Sequence, residues 1–193
     1  MKDLKFVVQH YGFFNTGDYG RFAYNQEFEN SGDLSKVKRL QLTCGGDLIN
    51  QRSDYRNGIV LIDAMTEGWV EVFEYYLSVP GVDVTILGRN ERGGSTGNAL
   101  HNLLWVKSVE EWHRKALNLL LNHESCNIDA VNLRVNLRVT RHNNNKTPVT
   151  PLDLLNLVPT TVDGQTQRKT QMVNALIAKG AKTTAQLEAE EDL

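Results

Sequence analysis

A pattern of glycine and apolar residues recurs along the chain at a spacing of 36 residues, and it constrains the fold more than any other feature. Gly32 and Leu34 recur at this spacing as Gly68 and Val70. In each copy two short apolar runs at helical spacing flank the glycine, which predicts two helices joined by a tight turn. Because one such pair cannot bury its apolar face alone, the pattern predicts a stack of helix pairs.

Two less regular copies follow, one through GNALHNLLW and the other through TPVTPLDLLNL. The sequence therefore predicts a single all-α domain over 1–193. Its predicted repeats are 21–57, 58–96, 97–146 with a long connection, and 147–183. We expect a capping helix at 1–20. Residues 184–193 are predicted to be an acidic cap or the start of a further segment, with a helix that begins at Thr183 or Thr184.

Short motifs mark the starts and turns of the predicted helices. Ala99-Leu100-His101 and Thr150-Pro151-Leu152-Asp153 open two of the copies, Gly68-Trp69-Val70 joins two helices, and Gly180-Ala181 follows the last one. In these motifs the chain, over about residues 21–183, resembles the ankyrin-repeat family. The resemblance implies a solenoid of stacked helix-turn-helix units with extended fingers, the segments that follow the second helix of each unit. It also implies a structural hydrogen-bonding role for His101 and a function in protein recognition.

The third finger is unusually long and contains NLRVNLRVTRHNNN, which begins at Asn132. Apolar residues alternate with polar ones, so Val135 and Leu137 would face one side of a strand and Arg134 and Arg138 the other. This alternation predicts a β-hairpin with its turn in the HNNN run. The alternative is a solvated loop. The preceding residues 127–130 are also predicted to be strand-like.

Arginines are concentrated in the three predicted fingers. A row of guanidinium groups suits bidentate pairing with carboxylates or phosphates. We therefore predict that an acidic or phosphorylated partner segment binds there, although the charges would also serve solubility alone. The residues of this arginine rim, with an adjacent tyrosine, are Arg52, Tyr55, Arg56, Arg89, Arg92, Arg134, Arg138 and Arg141.

The resemblance also implies a concave groove along the first helices of the repeats. By alignment Asp63, Asn102 and Trp105 fall at groove positions, and polar side chains on otherwise apolar helices suggest exposure. Tryptophan is favoured at interface hot spots. Trp112, in contrast, is expected to cover the lengthened turn together with Val109.

Composition and motifs argue against several other functions. The net charge of −2 argues against general nucleic-acid binding, and no apolar run approaches a membrane span. Cys44 and Cys126 lie far apart without metal-ligand or disulfide spacing. We predict no catalytic residue, metal or cofactor, and we expect a cytoplasmic monomer.

Three alternatives remain open. The chain would be an enzyme fragment if the lengthened turn near His113 formed a pocket with a perturbed histidine beside a cysteine or carboxylate. It would be a secreted bacterial effector if it bound its partner in a host cytosol. It would itself be a substrate if Asn50 were hydroxylated, since Asn50 resembles a finger asparagine that is modified in some ankyrin repeats.

Overall fold

The computed structural model describes Ser35, Lys38, Asn50 and residues 60–66, 68–89, 96–137, 147–160 and 164–192. These residues are mostly helical. They belong to two compact units, Met1–Val82 and Asp83–Leu193, whose boundary falls inside predicted repeat 2. The predicted capping helix and nearly all of predicted repeat 1 lie outside the described residues.

The first unit contains a short helix pair. Helix α1 (Val60–Thr66) packs on helix α2 (Val70–Leu77). Gly68 lies between them with φ 72°, a left-handed conformation that glycine adopts without strain. The buried side chains of the pair include Leu61, Ile62, Ala64, Met65, Val72, Phe73 and Tyr76. This turn confirms the helix-glycine-helix arrangement predicted from the repeat spacing.

The second unit contains six helices and four short strands in its described part. In chain order they are β1 (Gly88–Arg89), β2 (Thr96–Gly97), α3 (Ala99–Leu104), α4 (Glu111–Asn122), α5 (Ile128–Asn132), β3 (Val135–Leu137), β4 (Thr147–Val149), α6 (Pro151–Leu157), α7 (Gln165–Ala178) and α8 (Thr184–Glu191). Helix α3 packs on α4 and α6, and α7 packs on α4 and α6. Two helix pairs therefore lie side by side, with Leu100, Leu117, Leu120, Leu155 and Leu176 buried among them.

Equivalent residues start the first helix of each pair. Asn98 caps α3 through its Oδ1, which accepts from the His101 N–H at 3.1 Å, and Thr150 caps α6 through its Oγ1, which accepts from the Asp153 N–H at 3.3 Å. Both caps are buried. Each helix therefore begins directly after its capping residue, at the position that the aligned motifs predict.

We expect Thr150→Ala to lower the free energy of unfolding by about 1 kcal/mol, because the partly buried N–H of Asp153 loses its acceptor. Thr150→Ser keeps the hydroxyl and should retain most of the stability. Urea denaturation of the two variants checks this difference. Equal losses in both variants would contradict the role of the hydroxyl as a cap.

The strands form two antiparallel pairs. Gly88 and Arg89 pair with Gly97 and Thr96, and Val135, Asn136 and Leu137 pair with Val149, Pro148 and Thr147. Strand β2 also contacts β3. The hairpin predicted from the alternating residues is thus present at its base, and its second strand is Thr147–Val149, which follows the predicted turn. The predicted HNNN turn lies outside the described residues.

One finger prediction was wrong. Residues 127–130, predicted to be strand-like, form the cap and first turn of α5. The reason is local: the Asn127 side chain accepts from the Ala130 N–H at 2.9 Å, which favours a helical turn. None of the described helices is both long and apolar enough to cross a bilayer.

Candidate partner-binding surface

The structure describes the side chains of three predicted partner-binding residues, Asn102, Trp105 and Arg134. Asp63 lies on α1 and Arg89 on β1, and their side chains are outside the described part. The remaining members also lie outside the described residues: Arg52, Tyr55, Arg56, Arg92, Arg138 and Arg141. The partner-binding role of each of these residues stays a prediction.

The predicted exposure of Asn102 was wrong. Its side chain is buried, with 9% of the residue exposed. Its Nδ2 donates to the Gly97 carbonyl at 3.1 Å and to the Asn98 carbonyl at 2.9 Å. These backbone acceptors satisfy a polar side chain inside the fold, which the polar-among-apolar pattern cannot reveal.

Trp105 ends α3 and is half-buried. Its backbone N–H donates to the His101 carbonyl at 3.0 Å, so the helix fixes the position of its backbone. At this intermediate burial part of the residue is accessible to solvent, and its predicted groove role stays a prediction.

Arg134 lies between α5 and β3 and already binds a carboxylate. Its Nη2 lies 2.5 Å from Glu191 Oε1 and its Nη1 lies 3.3 Å from Glu191 Oε2. Both groups are partly exposed, with 33% of the Arg134 side chain and 61% of the Glu191 side chain accessible. The geometry is the two-point pairing that a guanidinium makes with a carboxylate.

Asp153 fixes the start of α8, the helix whose last residue pairs with Arg134. Its Oδ2 accepts from the Thr150 N–H at 2.9 Å and the Thr150 hydroxyl at 3.0 Å, and from the Thr184 N–H at 2.9 Å and the Thr184 hydroxyl at 2.6 Å. Burial raises the pKa of Asp153, but these hydrogen bonds outweigh burial and leave the pKa below its ordinary value. The ionised carboxylate therefore joins α6 to α8.

Asn132 and Lys182 position the segment that leads into α8. Asn132 Nδ2 donates to the Gly180 carbonyl at 3.0 Å, and Asn132 Oδ1 accepts from the Lys182 N–H at 2.7 Å. Lys182 Nζ binds both carboxylate oxygens of Glu190 at 2.7 and 2.6 Å. Sequence reasoning did not assign these residues to the surface. The sequence signal that could have predicted this contact is the acidic run LEAEEDL, whose charge is opposite to that of the arginine-rich finger.

His113 belongs to a helix cap. Its Nδ1 accepts from the Glu110 N–H at 3.0 Å, and the Glu110 side chain completes a capping box at the start of α4. The ring centroid lies 3.9 Å from that of Trp112. Burial lowers the pKa of His113 to about 4, so the ring is neutral and able to accept this hydrogen bond. Val109 beneath the same turn is fully buried.

His101 connects α3 to the second hairpin. Its Nδ1 lies 2.7 Å from Asn98 Oδ1 and its Nε2 lies 3.3 Å from the Val149 carbonyl. Burial lowers the pKa of His101 to about 4, although the carbonyls of Val149 and Leu133 act in the opposite direction. These contacts fit the structural role that the resemblance implies for this residue.

A polar cleft of about 380 Å³ lies between the starts of α4 and α7. Its lining comprises Glu111, Arg114, Gly164, Gln167, Arg168 and Gln171, and does not include His113. Arg114 pairs with Glu111, and Arg168 Nη1 donates to the Val109 carbonyl at 3.4 Å. Among the described residues that line it, the cleft therefore places no nucleophile beside a base.

Within the described residues, no group of three or more histidine, cysteine, aspartate or glutamate side chains is placed to hold a metal. Cys126 is buried, and burial raises the pKa of its thiol, which disfavours the nucleophilic thiolate.

No family model, curated protein or solved structure matches the chain. A function must therefore be inferred from its own residues and contacts.

Proposed function

We propose that the chain is a protein-recognition module of about four ankyrin-like repeats, and that it binds an acidic or phosphorylated segment of a partner protein through the arginine rim and the groove. The observation that carries this proposal is the two-point pairing of Arg134 with a carboxylate at an exposed position. A guanidinium that binds a carboxylate within the chain has the geometry to bind one from a partner.

A recurring hydrogen bond supports the repeat architecture. Asn50 Nδ2 donates to the Gly81 carbonyl at 2.6 Å, and Asn132 Nδ2 donates to the Gly180 carbonyl at 3.0 Å. Both glycines follow the second helix of a pair and have positive φ, 84° and 90°. An asparagine from one copy thus binds the turn of the next in two places, as expected when successive copies stack on one another.

The surface chemistry supports an anionic partner. Arg134 directly precedes β3, whose residues Val135–Leu137 pair with Thr147–Val149, and its side chain is 33% exposed. A preorganised arginine loses less conformational entropy on binding than one in a mobile loop. Arg138 and Arg141 follow in the sequence and would extend the positive charge along the same finger.

Affinity capture from candidate cell lysates tests the proposal. The wild-type chain is compared with Arg134→Glu/Arg138→Glu/Arg141→Glu. We expect the amount of a specific partner captured by the triple variant to fall by about tenfold or more. Lys107→Glu/Arg114→Glu/Lys115→Glu makes the same change in net charge away from the rim and should retain the partner. Circular dichroism verifies that both variants are folded. Equal retention by all three chains would contradict the rim assignment and move the site towards Trp105.

A further inference from the structure

Helix α8 lies beside Arg134 without burying an apolar side chain. None of the residues of α8 is buried, and Leu187 is only half-buried. Its hydrogen bonds and ion pair with neighbouring elements join Thr184 to Asp153 and to the Pro148 carbonyl, and Glu191 to Arg134. A helix held in this way has little of the apolar contact that makes an element resistant to local opening.

Because of its charges, the stability of α8 depends on the residues around it. Glu188, Glu190 and Glu191 lie in its C-terminal half, where the negative end of the helix dipole disfavours carboxylates. Eight residues are also too few for a stable isolated helix in water. Arg134 and Lys182 offset this charge by binding Glu191 and Glu190.

We propose that the surface around Arg134 binds an acidic helix, and that α8 occupies this surface intramolecularly until a partner helix with equivalent carboxylates replaces it. This inference rests on the proposed function and specifies its partner as a short helix with adjacent carboxylates in its last turn. The same surface then has two states, closed by α8 or open to the partner.

Tethering explains why α8 competes effectively although its contacts are individually weak. A segment joined to the protein by a short connection is present at an effective concentration in the millimolar range. Exposed ion pairs are weak and screened by salt, so the closed state is also reversible. Neutralising Glu190 and Glu191 should therefore favour the open state without removing Arg134 or Lys182.

A peptide-binding experiment tests this competition. The probe is a fluorescein-labelled peptide with the sequence of residues 183–193, TTAQLEAEEDL, and its binding to the full chain is followed by fluorescence anisotropy. We expect Glu190→Gln/Glu191→Gln to bind the probe about fivefold or more tightly than the wild-type chain, because the tethered competitor is weakened. Adding Arg134→Glu to this variant should abolish the gain.

Glu188→Gln/Asp192→Asn is the matched control. It removes two negative charges from the same segment, and these carboxylates form no hydrogen bond or ion pair with the described residues. We expect its affinity for the probe to stay close to that of the wild-type chain. A gain as large as that of Glu190→Gln/Glu191→Gln would mean that general repulsion, rather than occupancy of Arg134, limits binding, and it would overturn the proposal.

Hydrogen exchange of the unmodified chain gives a second measurement. Raising the salt from about 0.1 M to about 1 M shortens the screening length from about 10 Å to about 3 Å. The amides of α8 should then exchange faster, while those of α4 should not. Unchanged exchange in α8, or equal probe affinities of the wild-type chain and Glu190→Gln/Glu191→Gln, would overturn the intramolecular competition.

The two proposals fail in different ways. If capture depends on the arginine rim but the probe binds all chains equally, the recognition function stands and the role of α8 is wrong. If the probe responds as expected but every captured protein is retained by the arginine variant, α8 binds Arg134 and the proposed function is wrong.

Discussion

Leu120→Ala is expected to lower the free energy of unfolding by about 2–5 kcal/mol, because it leaves a cavity where a large side chain was fully packed. Leu120 is 0% exposed on α4, the helix that packs on both α3 and α7. The cavity would therefore lie where two helix pairs meet, and urea denaturation followed by circular dichroism measures its cost.

The adjacent residue is the control. Leu119 lies on the same helix but is 39% exposed, so Leu119→Ala removes less buried apolar surface. We expect it to cost less than about 1 kcal/mol. A similar loss in both variants would contradict the packing of this helix face.

The parts of the fold that depend on local residues could be predicted from the sequence. Gly68 marks the turn between α1 and α2, and Thr150 marks the start of α6, because φ > 0 and N-capping each require particular residue types. A helix start at Thr183 or Thr184 was predicted on the same basis and is confirmed, with Thr183 as the cap and Thr184 as the first helical residue. The four-repeat solenoid itself stays a prediction.

Features that depend on three-dimensional contacts were missed or assigned wrongly. Asn102 was expected to be exposed because it is polar on an apolar helix, but the carbonyls of Gly97 and Asn98 accept from its side chain inside the fold. The partner strand of Val135–Leu137 was not assigned, because alternation identifies a strand but not its register partner. Neither feature leaves a signal in a single sequence.

In the candidate site, too, some features follow from the sequence and others depend on contacts that only the fold makes. Arg134 was predicted from arginine spacing, whereas its contact with Glu191 joins residues far apart in the chain. Only the fold brings the acidic helix to the basic finger. The sequence pattern identifies the charge of a surface, and the contacts identify what already occupies it.

The second large effect is a loss of stability in mild acid. Burial lowers the pKa values of His101 and His113 from 6.5 to about 4 in the folded chain. Between pH 6.5 and pH 4 the unfolded chain therefore binds more protons than the folded chain, so stability falls as the pH is lowered through this range. Each histidine contributes up to about 3 kcal/mol, since one pKa unit corresponds to about 1.4 kcal/mol.

His113→Gln isolates one of these contributions. Glutamine is a favoured residue at this position of a capping box, so its amide oxygen can accept from the Glu110 N–H in place of the ring nitrogen. It cannot be protonated in this pH range, and the difference in unfolding free energy between pH 7 and pH 4 should shrink by about 2–3 kcal/mol.

Urea denaturation at several pH values measures this difference. Asp153 accounts for little of a loss in this range, because the pKa of its carboxyl is lowered from 3.8 in the folded chain and most of its effect on stability falls below pH 4. An unchanged pH dependence in His113→Gln would mean that His113 is not held neutral in its cap. If the pH dependence does shrink in His113→Gln, the loss that remains reports the second buried imidazole, His101. Both of its ring nitrogens lie near acceptors, Asn98 Oδ1 and the Val149 carbonyl, and the neutral ring donates to one of them.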